Sequence, residues 1–210
     1  MILNKIRFVA LCIIISLLGI IFLLNVISSF CPLELIAKSI EMPITLVRNN
    51  DFLCTNISQI VADENHVYVL FGNYSVLQVY TLNGDYEYSV SVYNHMKGIT
   101  SIATHNNSLY ICDKIDNVYV FSNGELSEFI DRTQSLSIRR KLPFGASSSE
   151  YRVHLASVWY APGGELSKCV IQRPAWLAIF QNNLLFILQF TLIVFAGAIL
   201  LFFRKQKPIL

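Results

Sequence analysis

Histidine and cysteine are the residues here best suited to metal binding or nucleophilic chemistry, and the histidine spacing supports neither. The four histidines stand far apart, at His66, His95, His105 and His154. None has a partner at the short spacing of a zinc site, and neither a His-Glu-x-x-His nor a Cys-x-x-Cys motif occurs. We therefore predict no metal site and interpret each histidine as a strand or loop residue.

The five cysteines differ in their sequence surroundings. Cys12 lies in a long apolar run, whereas Cys112 and Cys169 lie in strand-like segments, where a cysteine is typical of a core. Cys31 and Cys54 remain. In an oxidising compartment these two form a candidate disulfide.

Other catalytic patterns are missing from the sequence. There is no Gly-x-Ser-x-Gly elbow, phosphate-binding glycine loop or EF-hand. Asp113, Asp116 and Asn117 lie between two predicted strands and offer oxygen ligands for calcium, but Asp and Asn are common in turns for conformational reasons alone. We expect no catalytic residue and no cofactor, so the chain is predicted not to be an enzyme.

Aromatic side chains supply the candidate binding chemistry. Tyr86 and Tyr88 alternate along one strand and are expected to share a face. Together with Trp159 they form a candidate interaction surface, because proteins and sugars dock against exposed aromatic rings. Cross-strand packing is the alternative interpretation and the commoner role.

These residues lie in a middle segment that repeats with a period of about 40 residues. Ile57-Ser58-Gln59-Ile60 matches Ile99-Thr100-Ser101-Ile102 at an offset of 42. Asn83-Gly84-Asp85 matches Asn123-Gly124-Glu125 at an offset of 40. The repeats cover about 57–98 and 99–138. A partial third copy covers 150–172, where a plain hairpin fits equally well.

Four short runs rich in Val, Ile, Tyr and Phe, separated by turn residues, predict four strands in each full unit. Residues 141–149 are predicted to be a polar, flexible connector. The strands are expected at 57–62, 66–71, 76–81 and 86–92, then at 99–104, 108–112, 118–121 and 126–130.

Four strands with this period are the pattern of a β-propeller blade. The second unit contains the runs Gly98-Ile99-Thr100-Ser101-Ile102-Ala103, Leu109-Tyr110-Ile111-Cys112-Asp113 and Val118-Tyr119-Val120-Phe121. With these runs it resembles a blade of the NHL-type, six-bladed propellers, which implies an architecture and no activity. Propellers close with four to eight blades, and this chain has two or three. Extra strands from 40–50 and 133–172, a protein partner or a second copy must therefore cover the open faces.

The two ends of the chain are apolar and uncharged over long runs. Charged residues make up 14% and hydrophobic residues 54% of the chain, with a mean hydropathy of +0.50. A bilayer span needs about 20 apolar residues. We predict an N-terminal transmembrane anchor at 1–30 (or a signal segment), a β-repeat domain at 31–175, a transmembrane helix at 176–204 and a basic tail at 205–210.

Basic residues flank both apolar runs on their outer sides, at Lys5 and Arg7 and at Arg204, Lys205 and Lys207. The positive-inside rule then places both termini in the cytoplasm and the β domain outside it, in a two-pass protein of the cell membrane with the lipid bilayer as a partner. A net charge of +2 does not indicate nucleic-acid binding.

The sequence as a whole favours a membrane-anchored, extracytoplasmic binding or scaffolding module without catalytic activity. Its expected fold class is mainly β, an incomplete antiparallel propeller between two transmembrane helices. The alternatives are an accessory subunit of a larger membrane complex for transport or secretion and, more remotely, a propeller-type hydrolase.

Overall fold

A computed structural model describes residues 13–23, 44–48, 56–72, 76–92, 98–178, 188–194 and 196–197. The chain divides into two compact units. The terminal unit consists of residues 1–29 and 179–210, and the central unit consists of residues 30–178.

The described residues of the terminal unit are helical, at 13–23, 188–194 and 196–197. Within the described part of the chain, no helix is both long enough and apolar enough to cross a bilayer. The predicted flanking transmembrane helices are therefore wrong, as is the two-pass localisation that depended on them. Residues 176–178 of the second predicted span are also described, and the remaining residues of both spans lie outside the described residues.

The central unit contains three antiparallel sheets. Sheet 1 has the order β1-β5-β4-β3-β2, sheet 2 the order β6-β7-β8-β9 and sheet 3 the order β10-β11-β12. The bounds in sheet 1 are β1 Ile44–Val47, β2 Ile57–Ala62, β3 His66–Phe71, β4 Val76–Thr81 and β5 Tyr86–Val92. In sheet 2 they are β6 Ile99–His105, β7 Ser108–Asp113, β8 Val118–Ser122 and β9 Glu125–Ile130. In sheet 3 they are β10 Tyr151–His154, β11 Ser157–Tyr160 and β12 Lys168–Ile171.

The predicted mainly β character is confirmed, as are the eight strands predicted between residues 57 and 130. Tight turns explain the short strands. Asn106 and Asn107 have φ of 49° and 56°, and Asn123 and Gly124 have φ of 53° and 78°. Two successive positive φ values match the right-handed twist of a hairpin, and Asn and Gly adopt them at low cost.

The sheets stack face to face in an order that differs from the sequence. One apolar cluster joins sheet 1 to sheet 3 and includes Phe71, Val76 and Val158. A second cluster joins the other face of sheet 1 to sheet 2 and includes Leu77, Ile102 and Ile111. Sheet 1 therefore lies in the middle, and the C-terminal sheet packs against the first repeat unit.

A helix covers the outer face of sheet 2. This helix, α1, spans Arg132–Lys141, and the Asp131 side chain caps its N-terminus by accepting from the amides of Thr133 and Gln134. Ile138 of α1 and Phe144 pack on a cluster that contains Val118 and Val120. Extra strands were expected from 133–172 to cover the open faces, but on sheet 2 a helix does so.

Candidate functional site

The predicted aromatic surface is not continuous, because a bulge in β5 separates its two tyrosines. Tyr88 pairs with Val79, whereas Tyr86 pairs with Tyr80, with an irregularity between them. Tyr86 packs against the cluster shared with sheet 3, and Tyr88 packs against the cluster shared with sheet 2. The expectation that Tyr86 and Tyr88 share a strand face is wrong.

Both tyrosines are half-buried and engaged within the fold. Tyr86 donates to the Val47 carbonyl at 3.1 Å, and its ring meets that of Tyr80 edge-on at 5.8 Å. Burial, with the Glu87 carboxylate next to it, raises the pKa of Tyr88 to about 12. These contacts correspond to the packing role.

Trp159 lies on sheet 3, in register with Arg152 and Cys169. Its ring is half-buried and lies 6.3 Å from His154 in an edge-on arrangement. Among the described residues, Trp159 Nε1 is the one buried side-chain nitrogen or oxygen without a hydrogen-bond partner.

The cysteines offer no described redox site. Cys31 and Cys54, the candidate disulfide, lie outside the described residues. Cys112 is buried and Cys169 is half-buried, and both are free thiols. Burial raises the pKa of the Cys112 thiol, so this thiol is a poor nucleophile at neutral pH.

Asp113 stabilises the β7–β8 turn with both of its carboxylate oxygens. Asp113 accepts from the amides of Ile115 and Asn117 at 2.9 Å through Oδ1, and from the Tyr119 hydroxyl at 3.3 Å through Oδ2. The neighbouring Asp116 forms an ion pair with Arg139 at 2.8 Å. These contacts occupy both carboxylate oxygens of Asp113 and one of Asp116, which the sequence offered to calcium. Across the described residues no group of three or more His, Cys, Asp or Glu side chains is arranged for a metal.

Asp63 stabilises the turn between β2 and β3 in the same way, and His66 takes part in its contacts. It accepts from the His66 amide at 2.8 Å and from the Tyr68 hydroxyl at 2.7 Å. His66 Nε2 lies 3.2 Å from a Glu87 carboxylate oxygen. The cluster ties the β2–β3 turn to β5, and it was missed in the sequence because Glu87 is 21 residues from His66.

A buried glutamine joins β2, an edge strand of sheet 1, to β6, an edge strand of sheet 2; we call these the inner edges. Gln59 Nε2 donates to the Ile102 carbonyl at 2.7 Å, and Gln59 Oε1 accepts from the Ile102 amide at 2.9 Å. Thr104 adds a hydroxyl bond to the Ala62 carbonyl at 3.2 Å. Side chains therefore form hydrogen bonds with main-chain N–H and C=O groups of β2 and β6. A further strand would otherwise have to bond these groups. A lone glutamine within the apolar run of β2 was the available signal.

The predicted flexible connector is partly docked on the same edge. We call residues 145–149 the inner strap. The Ser148 amide donates to the Ile60 carbonyl at 2.8 Å, and the Ile60 amide donates to Ser147 Oγ at 3.3 Å. Gln59 Nε2 also donates to the Ala146 carbonyl at 2.7 Å.

The opposite, outer edges of sheets 1 and 2 expose apolar side chains. Leu126 and Phe129 of β9 are 47% and 54% exposed, and Leu46 of β1 is 39% exposed. Leu126 is in register with Phe121 and Phe129 with Tyr119, so both lie on the face turned toward sheet 1. We call Leu46, Leu126 and Phe129 the outer-edge surface.

Comparisons with known proteins add no relative. No protein-family model, no curated protein and no solved structure matches this chain.

Proposed function

We propose that the central unit is a non-catalytic protein-binding module whose partner docks on the outer-edge surface. The observation that carries this proposal is the exposure of Leu126 and Phe129 side by side on β9. Large apolar side chains gathered in one exposed place mark interaction sites more often than isolated ones do. Phe129 also contacts Tyr119 at a ring distance of 5.1 Å, which holds its ring in a fixed position.

The partner is an extended protein segment with apolar and basic side chains. β9 is the last strand of sheet 2, and among the described strands only β8 pairs with it. Its free edge offers main-chain groups for strand addition. Glu125 and Glu128 are exposed on β9 beside the apolar pair, and they favour lysine or arginine on the incoming segment.

The three stacked antiparallel sheets support a propeller-like arc as the architecture of this module. The cover that α1 forms over sheet 2 favours docking at the outer edge over completion of a ring by a second copy. A following blade would need the face on which Ile138 and Phe144 already pack. The edge of β9 has no such cover among the described residues.

A peptide selection tests this proposal. Random peptides long enough to pair with the 6 residues of β9 are selected on the purified full chain and measured by calorimetry. We expect selected peptides that combine apolar and basic residues. Phe129→Lys should weaken their binding by at least about tenfold, because it removes an apolar contact and adds a repelling charge.

Leu136→Lys is the matched control, because Leu136 is 50% exposed and belongs to α1 and not to β9. It should leave peptide binding unchanged. Light scattering gives a second readout. A native dimer that becomes a monomer in Phe129→Lys would also support the outer-edge surface, and its occupant would then be a second copy of the chain. Peptides that bind both variants equally well, or no selected peptide together with a monomer, would refute the proposal.

A further inference from the structure

The inner edge of sheet 1 already holds a piece of extended chain in place of a strand. β2 is the last strand on this side, and Ile60 uses both main-chain groups to bind the inner strap. One Ile60 bond is to the Ser148 amide and the other is to the Ser147 hydroxyl. This arrangement imitates one rung of an antiparallel ladder, with a hydroxyl in place of the second main-chain carbonyl, so the edge can bind a polypeptide.

Polar contacts dominate the attachment of the inner strap. Ala146, Ser147 and Ser149 are exposed and Ser148 is half-buried. No side chain of the strap belongs to the apolar clusters of the described residues. Segments that bury little apolar surface are the ones that open locally while the rest of a protein stays folded.

The inner strap lies between two fixed points and begins at a glycine. Phe144 precedes it and packs on sheet 2, while the Glu150 carbonyl follows it and accepts from the Ala161 amide at 2.6 Å. Gly145 has φ of +80°, and a Cβ built on it would meet no atom within 4 Å. The strap is therefore held at both ends, with open space around Gly145 at its first residue.

We infer that the inner strap is a releasable internal ligand of the β2 edge, and that its release opens a binding site for an extended peptide segment. The chemistry of the strap defines the peptide. Gln59 recognises a main-chain carbonyl, and Ile60 recognises an amide and a serine or threonine hydroxyl. The strap itself supplies the small residues Ala146, Ser147 and Ser148. This site lies at the edge opposite the outer-edge surface and does not depend on it.

Hydrogen exchange of the full chain tests the release. The amides of Ser148 and Ile60 should exchange through a local opening that low urea does not accelerate, whereas amides of β3 should exchange only with larger unfolding. Exchange of Ser148 and Ile60 in step with global unfolding would overturn the inference, because the strap would then be a permanent part of the sheet.

A labelled peptide with the sequence of residues 145–150 tests the opened site. Ser148→Pro deletes the amide that binds Ile60, so the peptide should bind this variant more tightly than the native chain. If the strap is closed in about nine of ten native molecules, the gain is about tenfold. Ser147→Ala, which removes only the hydroxyl acceptor, should give a smaller gain in the same direction.

Ser149→Ala is the matched control, because the same atom is removed from an adjacent exposed serine. It should bind the peptide as the native chain does. A peptide with alanine in the position of Ser147 should bind more weakly to every variant. If Ser148→Pro fails to fold, the comparison of Ser147→Ala with Ser149→Ala decides, and equal peptide binding by the two would refute the inference.

Discussion

Gln59 replaces a missing strand with one side chain. Its amide nitrogen donates to the Ile102 carbonyl, and its amide oxygen accepts from the Ile102 main-chain amide. Burying a polar group is costly unless it is hydrogen-bonded, so the exposed edge of β6 and the buried amide of Gln59 stabilise each other. The second unit has Ser101 in the corresponding position, which is too short to form the same bridge.

Buried tyrosines should make the fold sensitive to alkali. Burial, together with the adjacent Asp113 carboxylate, raises the pKa of Tyr119 to about 12, and burial raises that of Tyr88 to about 12. The pKa of Tyr68 is also raised, first by burial and then by its bond to Asp63. An unfolded tyrosine titrates near pH 10.

Between pH 10 and 12 the unfolded chain therefore loses phenol protons that the folded chain keeps. The contribution of these tyrosines to the free energy of unfolding is complete below pH 10. It is lost as the pH rises, by up to about 1.4 kcal/mol per pH unit for each such tyrosine. Urea unfolding across this range should show the fall. Tyr119→Phe should make the slope shallower by one proton, and an unchanged slope would contradict the role assigned to Tyr119.

At the scale of the element, the β4–β5 turn limits what its glycine can become. Gly84 has φ of +94°, and a Cβ at this position would lie 1.8 Å from the Val170 carbonyl oxygen of β12. Gly84→Ala must push β12 away from sheet 1 in addition to adopting a left-handed conformation. We expect a loss of more than about 3 kcal/mol in the free energy of unfolding.

Gly145→Ala separates the two causes. Gly145 has φ of +80°, but an added Cβ would meet nothing within 4 Å. The alanine should cost only about 1–2 kcal/mol, from backbone strain alone. Chemical denaturation of both variants measures the difference, and equal losses would show that contact with β12 does not matter.

The strands could be predicted from the sequence because short apolar runs and Asn-Gly turns are local signals. The placement of Tyr86 and Tyr88 on opposite faces could not be predicted, because the bulge between them depends on how β5 pairs with β4. α1 had weak signals in the Asp131 cap and the basic residues of its last turn. These signals did not predict a helix, because Arg132–Lys141 contains only two large apolar residues and overlaps the second predicted repeat.

At the scale of the whole molecule, the repeat predicts sheets that follow one another, but the chain reverses its direction of stacking after sheet 2. α1 covers the next available face, and the inner strap crosses the edge of β2 toward sheet 3. Sheet 3 then packs on the face of sheet 1 that no earlier described element covers. The order depends on an apolar cluster that joins residues about 90 apart in the chain, such as Val67 and Val158, which a periodic pattern does not encode.

This order makes sheet 3 part of one cooperative fold, and two valines of sheet 3 test it. Val158 of β11 is fully buried against sheet 1, whereas its cross-strand partner Val153 is 36% exposed. Val158→Ala should lower the free energy of unfolding by about 2 kcal/mol, and Val153→Ala should have a much smaller effect. The slope of the free energy of unfolding against denaturant concentration should stay unchanged in both variants, because unfolding exposes the same surface. A reduced slope in Val158→Ala would mean that sheet 3 unfolds separately and that sheets 1 and 2 are stable without it.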